Sequence, residues 1–122
     1  MEVITEGKVK TVYAGDDAQQ VIIEYHDKVT AGNGEMVDHP LGKGSLCCSI
    51  SSLIFEKLSK ENIPTHYIGM VGANKMICRK VEIIPLEVIC RNRAAGSIVR
   101  ETTLQEGYSL PHPIVEFFLK DD

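Results

Sequence analysis

Only one stretch of this chain repeats its apolar residues at a helical interval, and that limits what the chain can fold into. In residues 45–62, "SLCCSISSLIFEKLSKEN", Leu46, Ile50, Leu53, Ile54 and Leu58 recur at 3.6-residue spacing. They form a single apolar stripe, expected to face the core. Ser45 is the expected N-cap, and Asn62 followed by Pro64 the expected stop. Around this helix the pattern is that of strands. "KVKTVYA" (8–14) and "QVIIEYH" (20–26) flank the turn "GDDAQ" and predict a hairpin. "THYIGMV" (65–71) and "KMICRKVEII" (75–84) flank "GAN", a second hairpin turn. "LEVICRN" (86–92) and "IVEFFLK" (114–120) read as further strands, and "SIVRETTL" (97–104) as a short helix with Ser97 at its N-cap. Residues 30–44 carry four glycines and one proline with no apolar period, so a long loop is expected there. One long helix set among hairpins predicts an α+β fold with a mostly antiparallel sheet, and 122 residues are enough for a single domain.

The totals exclude several classes. A net charge of −4 argues against a general nucleic-acid binder, which needs a basic surface to neutralise phosphates. No apolar run approaches the roughly 20 residues that cross a bilayer, so no membrane partner is expected. The start, "MEVITEGKVK", lacks the apolar core of a signal peptide. Cys47, Cys48, Cys78 and Cys90 form no C-x-x-C pair, and His26, His39, His66 and His112 show no metal-ligand spacing. Reduced, buried thiols in a cytoplasmic protein are expected. The acidic residues make no convincing metal cluster either: Glu87 and Glu116 lie in separate strands, and Asp121 and Asp122 come last.

"CRNRAAGS" (90–97) joins two arginines to a small-residue turn and a hydroxyl. Guanidinium groups bind phosphate two-pronged, and small residues let an anion approach the backbone. The competing reading is a surface turn with solvated arginines. In "EGKVK" (6–10), Lys8 and Lys10 are expected on the same face of one strand, where they either flank an anion or guard an edge. "GKGS" (42–45) lacks the full P-loop pattern, yet Lys43 precedes a helix, as an anion ligand or as part of the turn.

Taken together, "EGKVKTVY", "TAGNGE", "LGKGS", "KVEIIPLEVICRNRAAGS" and "EGYSLPHPIVEFFLKDD" resemble the SAICAR synthetase family of purine biosynthesis, in order from Glu6 to Asp122. The resemblance implies a fold like the small lobe of a kinase. It also implies a ligase that uses ATP and magnesium to join aspartate to the carboxylate of CAIR, a phosphoribosyl aminoimidazole. It assigns Lys8 and Lys10 to the ATP phosphates, and the segment from Lys80 to Ile84, with Lys80 and Glu82, to the adenine. Arg91 and Ser97 would hold the CAIR phosphate, with Lys43 as a further anion-side candidate, and Lys120 would lie near the reacting groups. The sequence departs from the family pattern at Cys47 and Cys48, where members carry asparagine, and at Asn33, where some carry aspartate. It matches the N-terminal half of that pattern, and the half carrying the magnesium carboxylates is not in it. The expectation is therefore a protein that binds a nucleotide or phosphoribosyl ligand without catalysis, sequestering it in the manner of a phage-type or regulatory protein. The alternative is the ligase itself, with ATP and magnesium, completed by a separate or missing C-terminal half. Ile114, Val115, Phe117, Phe118 and Leu119 predict an exposed apolar strand and a homo-oligomer.

Overall fold

The computed structural model describes residues 1–32 and 34–120, so the readings placed on Asn33, Asp121 and Asp122 fall outside the described residues. The chain divides into two compact units, Met1–Val81 and Glu82–Asp122.

The first unit is a five-stranded antiparallel sheet with one helix against it. Its strands are β1 (Val3–Glu6), β2 (Lys10–Ala14) and β3 (Gln20–Tyr25), then β6 (Tyr67–Gly72) and β7 (Lys75–Arg79), in the order β1-β2-β3-β7-β6. A separate small hairpin pairs β4 (Val29–Ala31) with β5 (Met36–Asp38). The expected loop over 30–44 thus contains strands, each too short to show a period. β1 was not legible either, and it extends the expected hairpin by pairing with β2. β2 begins at Lys10, because Gly7 donates its N–H to the Lys10 carbonyl at 2.8 Å and closes a tight turn over Lys8 and Val9. Lys8 therefore sits in the turn, and the expectation of Lys8 and Lys10 side by side on one strand is corrected. β7 stops at Arg79 and does not run to residue 84; its last bond to the β3 side is from Lys80 N–H to the Gln19 carbonyl at 2.7 Å, in the turn that precedes β3.

The helix α1 (Lys43–Lys60) lies close to its expected span, but it presents the other face. Gly44, Cys48 and Ser52 are buried, one turn apart, and Cys47 and Phe55 pack against the core of Val21, Tyr25, Cys48, Met76 and Cys78. Leu46, Ile50, Leu53 and Ile54 are 62%, 49%, 66% and 56% exposed. The reason is steric: a Cβ on Gly44 would stand 2.6 Å from the Tyr25 carbonyl oxygen, so the helix reaches the sheet through its small residues. Ser45 is not the cap. Gly42 holds that position at φ 87°, and the Asp27 carboxylate accepts from the backbone N–H of Gly42 at 2.9 Å and of Gly44 at 2.7 Å. The helix ends as expected near Asn62, whose φ of 59° lets Ile63 N–H donate to Leu58 O at 2.9 Å.

The second unit pairs β8 (Leu86–Arg93) with β9 (Ser109–Leu119), with the short α2 (Ser97–Glu101) between them in sequence. β9 starts five residues before the expected Ile114. The register slips between Arg91, opposite Ile114, and Arg93, opposite Ser109, and the slipped segment contains Pro111 and Pro113. One face of this ribbon carries Leu86, Val88 and Cys90 opposite Leu119, Phe117 and Val115, all exposed. The other carries Ile89, Arg91, Ile114, Glu116 and Phe118, all half-buried. Ile114 and Phe118 thus lie off the exposed face on which they were expected.

Candidate functional site

In the second unit the site is built around Arg91. The residue is half-buried on β8, and the turn from Ala94 to Gly96 folds back over its guanidinium. Nη1 donates to the Ala95 carbonyl at 2.5 Å, and Nη2 donates to Ser97 Oγ at 3.0 Å. Gly96 lies at φ 68°, and a Cβ there would stand 3.3 Å from Arg91 Nη1, so a residue without a side chain suits the turn twice over. Ser97 is the first residue of α2 and Gly96 its cap, so Ser97 Oγ serves the arginine and not the helix end. Arg91 Nε faces Glu116 Oε1 at 3.6 Å. A guanidinium has five N–H groups. With these three directions taken, one N–H remains on each terminal nitrogen, and such charged donors are what phosphate oxygens accept. Arg93 lies beyond the register slip and donates to the Gly107 carbonyl at 3.1 Å, so it closes a turn and is not simply solvated. Lys120 is exposed just after β9, its backbone N–H on the Pro85 carbonyl at 3.0 Å, and Glu82 is exposed outside any regular element.

In the first unit the candidate residues divide differently. Lys10 Nζ lies 5.2 Å from the centre of the Tyr25 ring, a cation–π distance that holds the ammonium over the sheet. Lys8 is exposed in the turn before β2. Lys43 opens α1, where Asp27 already occupies the N-terminus as the anion. The two glycine N–H groups, and Lys43 nearby, hold the Asp27 carboxyl below its ordinary value. Lys80 lines an open recess of about 470 Å³ with Gln19, Gln20, Ile68 and Arg79.

Sequence reasoning missed Asp27, Glu116 and a polar network on the sheet face away from α1. There Thr11 Oγ1 lies 2.6 Å from His26 Nε2, and Glu24 meets Lys75 Nζ at 3.4 Å and His26 Nδ1 at 3.6 Å. The alternation of β2 and β3 places Thr11 and Glu24 opposite each other, which was the available signal.

The sequence profile described as SAICAR synthetase matches residues 3–122. The chain belongs to the SAICAR synthetase family. Among curated relatives, the phosphoribosylaminoimidazole-succinocarboxamide synthase of Prochlorococcus marinus is 49% identical over 122 residues, which is 100% of this chain and 50% of that protein. That of Nautilia profundicola is 47% identical, over 100% of this chain and 52% of the relative. The solved structure of a SAICAR synthetase (Type-2) in complex with ADP superimposes with a TM-score of 0.91 at 42% identity, over 98% of this chain and 51% of that one. The enzyme from Ehrlichia chaffeensis gives the same TM-score at 35% identity, over 98% of this chain and 51% of its own. The chain thus spans about half the length of the SAICAR synthetases it matches, and its α+β arrangement is that of their N-terminal part.

Proposed function

We propose that this chain is the portion of a SAICAR synthetase that receives the nucleotide and the substrate phosphate, and that by itself it binds a nucleotide or phosphoribosyl ligand without completing the ligation. The observation that carries this reading is the Arg91 guanidinium, braced by Ala95 O and Ser97 Oγ with one donor left on each terminal nitrogen. The relative solved with ADP supports the nucleotide side. Arg91 and Ser97 take the CAIR phosphate, and Lys8 and Lys10 the ATP phosphates. Lys80 and Glu82 border the adenine. Lys43 adds positive charge, and Lys120 lies near the reacting groups. Phosphoryl transfer needs metal ions and in-line positioning as well as a phosphate cradle. Among the described residues no three His, Cys, Asp or Glu side chains gather to hold a metal. Binding without turnover would sequester the ligand. Calorimetry with ribose 5-phosphate and with ribose tests the phosphate half of this reading, and equal affinities would overturn it.

The second reading is the complete ligase, with ATP, magnesium, CAIR and aspartate, assembled when the rest of the family's length is supplied. It is favoured by the match of this whole chain to half of each relative. The chain alone, given ATP, CAIR, aspartate and magnesium, is expected to make no SAICAR. Turnover above a protein-free control would favour the ligase and overturn the binder.

The exposed ribbon face of Leu86, Val88, Val115, Phe117 and Leu119 supports association with a second copy, most simply as a two-fold dimer. Light scattering at micromolar concentration is expected to give a dimer for the chain and a monomer for Phe117→Glu. A monomer for both would remove the proposal.

A further inference from the structure

The phosphate reading uses Arg91 and Ser97 but leaves Glu116 without a role. Glu116 sits on β9 opposite Ile89, and Arg91 sits on β8 opposite Ile114, so the two are diagonal neighbours on the same face of the ribbon. Their side chains are only 26% and 11% exposed. The Arg91 Nε atom is buried and makes no hydrogen bond, and the carboxylate at 3.6 Å is the anion that faces it. A buried guanidinium nitrogen without a counter-charge is costly.

We propose that Glu116 is a positioning residue that fixes the Arg91 guanidinium so that its two uncommitted N–H groups stay aimed at a phosphate. The inference rests on the phosphate reading above. Arginine has a long, rotatable stem, and three contacts pin its head. Two of them, Ala95 O and Ser97 Oγ, belong to the turn and the start of the short helix that follow β8. The third comes from the paired ladder itself, which ties the guanidinium to the regular part of the ribbon. A carboxylate this close to an anion site repels the anion. If Glu116 only tempered the charge of Arg91, removing its negative charge would tighten phosphate binding. If it positions the fork, removing it loosens phosphate binding. The two roles therefore predict opposite signs.

The full chain is compared with Glu116→Gln, Glu116→Ala and Glu116→Asp by calorimetry with ribose 5-phosphate and with ribose. Thermal melts check folding, and the near-isosteric Glu116→Gln keeps the test open if Glu116→Ala fails to fold. Glu116→Ala is expected to lose roughly fivefold to tenfold in affinity for ribose 5-phosphate and nothing for ribose, with Glu116→Asp recovering part of the loss. Exchange of the Arg91 Nε–H with water, followed by NMR and assigned through Arg91→Lys, is expected to be slow in the parent chain and fast in Glu116→Gln. Tighter or unchanged phosphate binding in Glu116→Gln, where the parent prefers the phosphorylated sugar, overturns the positioning role alone. If the parent shows no such preference, the phosphate reading itself falls. In that case Nε–H exchange unaltered by Glu116→Gln also shows that the carboxylate does not hold the arginine.

Discussion

Gly44 passes so close to Tyr25 that a Cβ on the glycine would lie 2.6 Å from the Tyr25 carbonyl oxygen. Real Cβ atoms do not approach backbone oxygen to that distance, and the carbonyl belongs to a central strand that cannot shift freely. Gly44→Ala is expected to lower stability by roughly 1–3 kcal/mol, the usual cost of overpacking a tight contact. Urea denaturation followed by circular dichroism measures it, and an unchanged midpoint would mean that the helix start moves aside at no cost.

Asp27 makes the same helix start sensitive to acid. Its carboxyl is held below the ordinary value of 3.8 by the N–H groups of Gly42 and then Gly44, with Lys43 assisting. A depressed folded pKa stabilises the fold above the unfolded pKa, and this contribution fades as pH falls through the folded value. Asp27→Asn is expected to melt lower than the parent at pH 7, with the gap narrowing below pH 3.8. Melting curves from pH 2 to pH 7 check this, and a gap constant across that range would contradict it.

Arg91 and Arg93 share a motif but make different bonds, so their alanine variants are expected to differ. On the phosphate reading proposed above, Arg91→Ala removes a charged contact and is expected to cost about 1.5–3 kcal/mol of phosphate affinity, or roughly ten- to a hundredfold. Arg93→Ala releases the Gly107 carbonyl and is expected to loosen that turn while leaving the phosphate preference near its parent value. Ser97→Ala falls between them, since it removes the partner of one guanidinium nitrogen. Titration of all three variants with ribose 5-phosphate ranks them. Arg93→Ala costing as much as Arg91→Ala would break the distinction.

The thiols are expected to separate by reactivity. Burial pushes Cys78 up to about 11 and raises Cys48 as well, and both are fully buried. Cys90 is exposed on the ribbon. Iodoacetamide at pH 8 is expected to label Cys90 in the Phe117→Glu chain, where the ribbon face is left unpaired, and to reach Cys48 and Cys78 only after denaturation. Peptide mass spectrometry reads the sites, and native labelling of Cys78 would contradict the packing described for β7.

The extent of α1 was legible because eighteen residues give a period time to show itself. Its buried face was not, because hydropathy favours Leu46 and Leu53 while the contact with β3 requires the small Gly44, Cys48 and Ser52. β4 and β5, at three residues each, carry too little pattern to be read. Arg91 and Ser97 stood out in "CRNRAAGS", but their spacing gave no preference for Arg91 over Arg93. The resemblance supplied that preference, and the register slip then set the two arginines on different partners. The pairing of Glu116 with Arg91 depends on cross-strand register, a long-range property that neither local sequence contained.

The prolines in β9 have a consequence for self-association. In the two-stranded sheet β8–β9, each strand has its other edge unpaired, and such edges invite strands from other molecules. Pro111 and Pro113 withdraw two amide donors from the first half of β9, so a foreign strand docking there would leave its own carbonyls unmet. The stretch from Ile114 to Leu119 carries no such interruption. Runaway strand-by-strand growth along β9 is therefore confined to its apolar second half, from Ile114, the partner of Arg91, to Leu119.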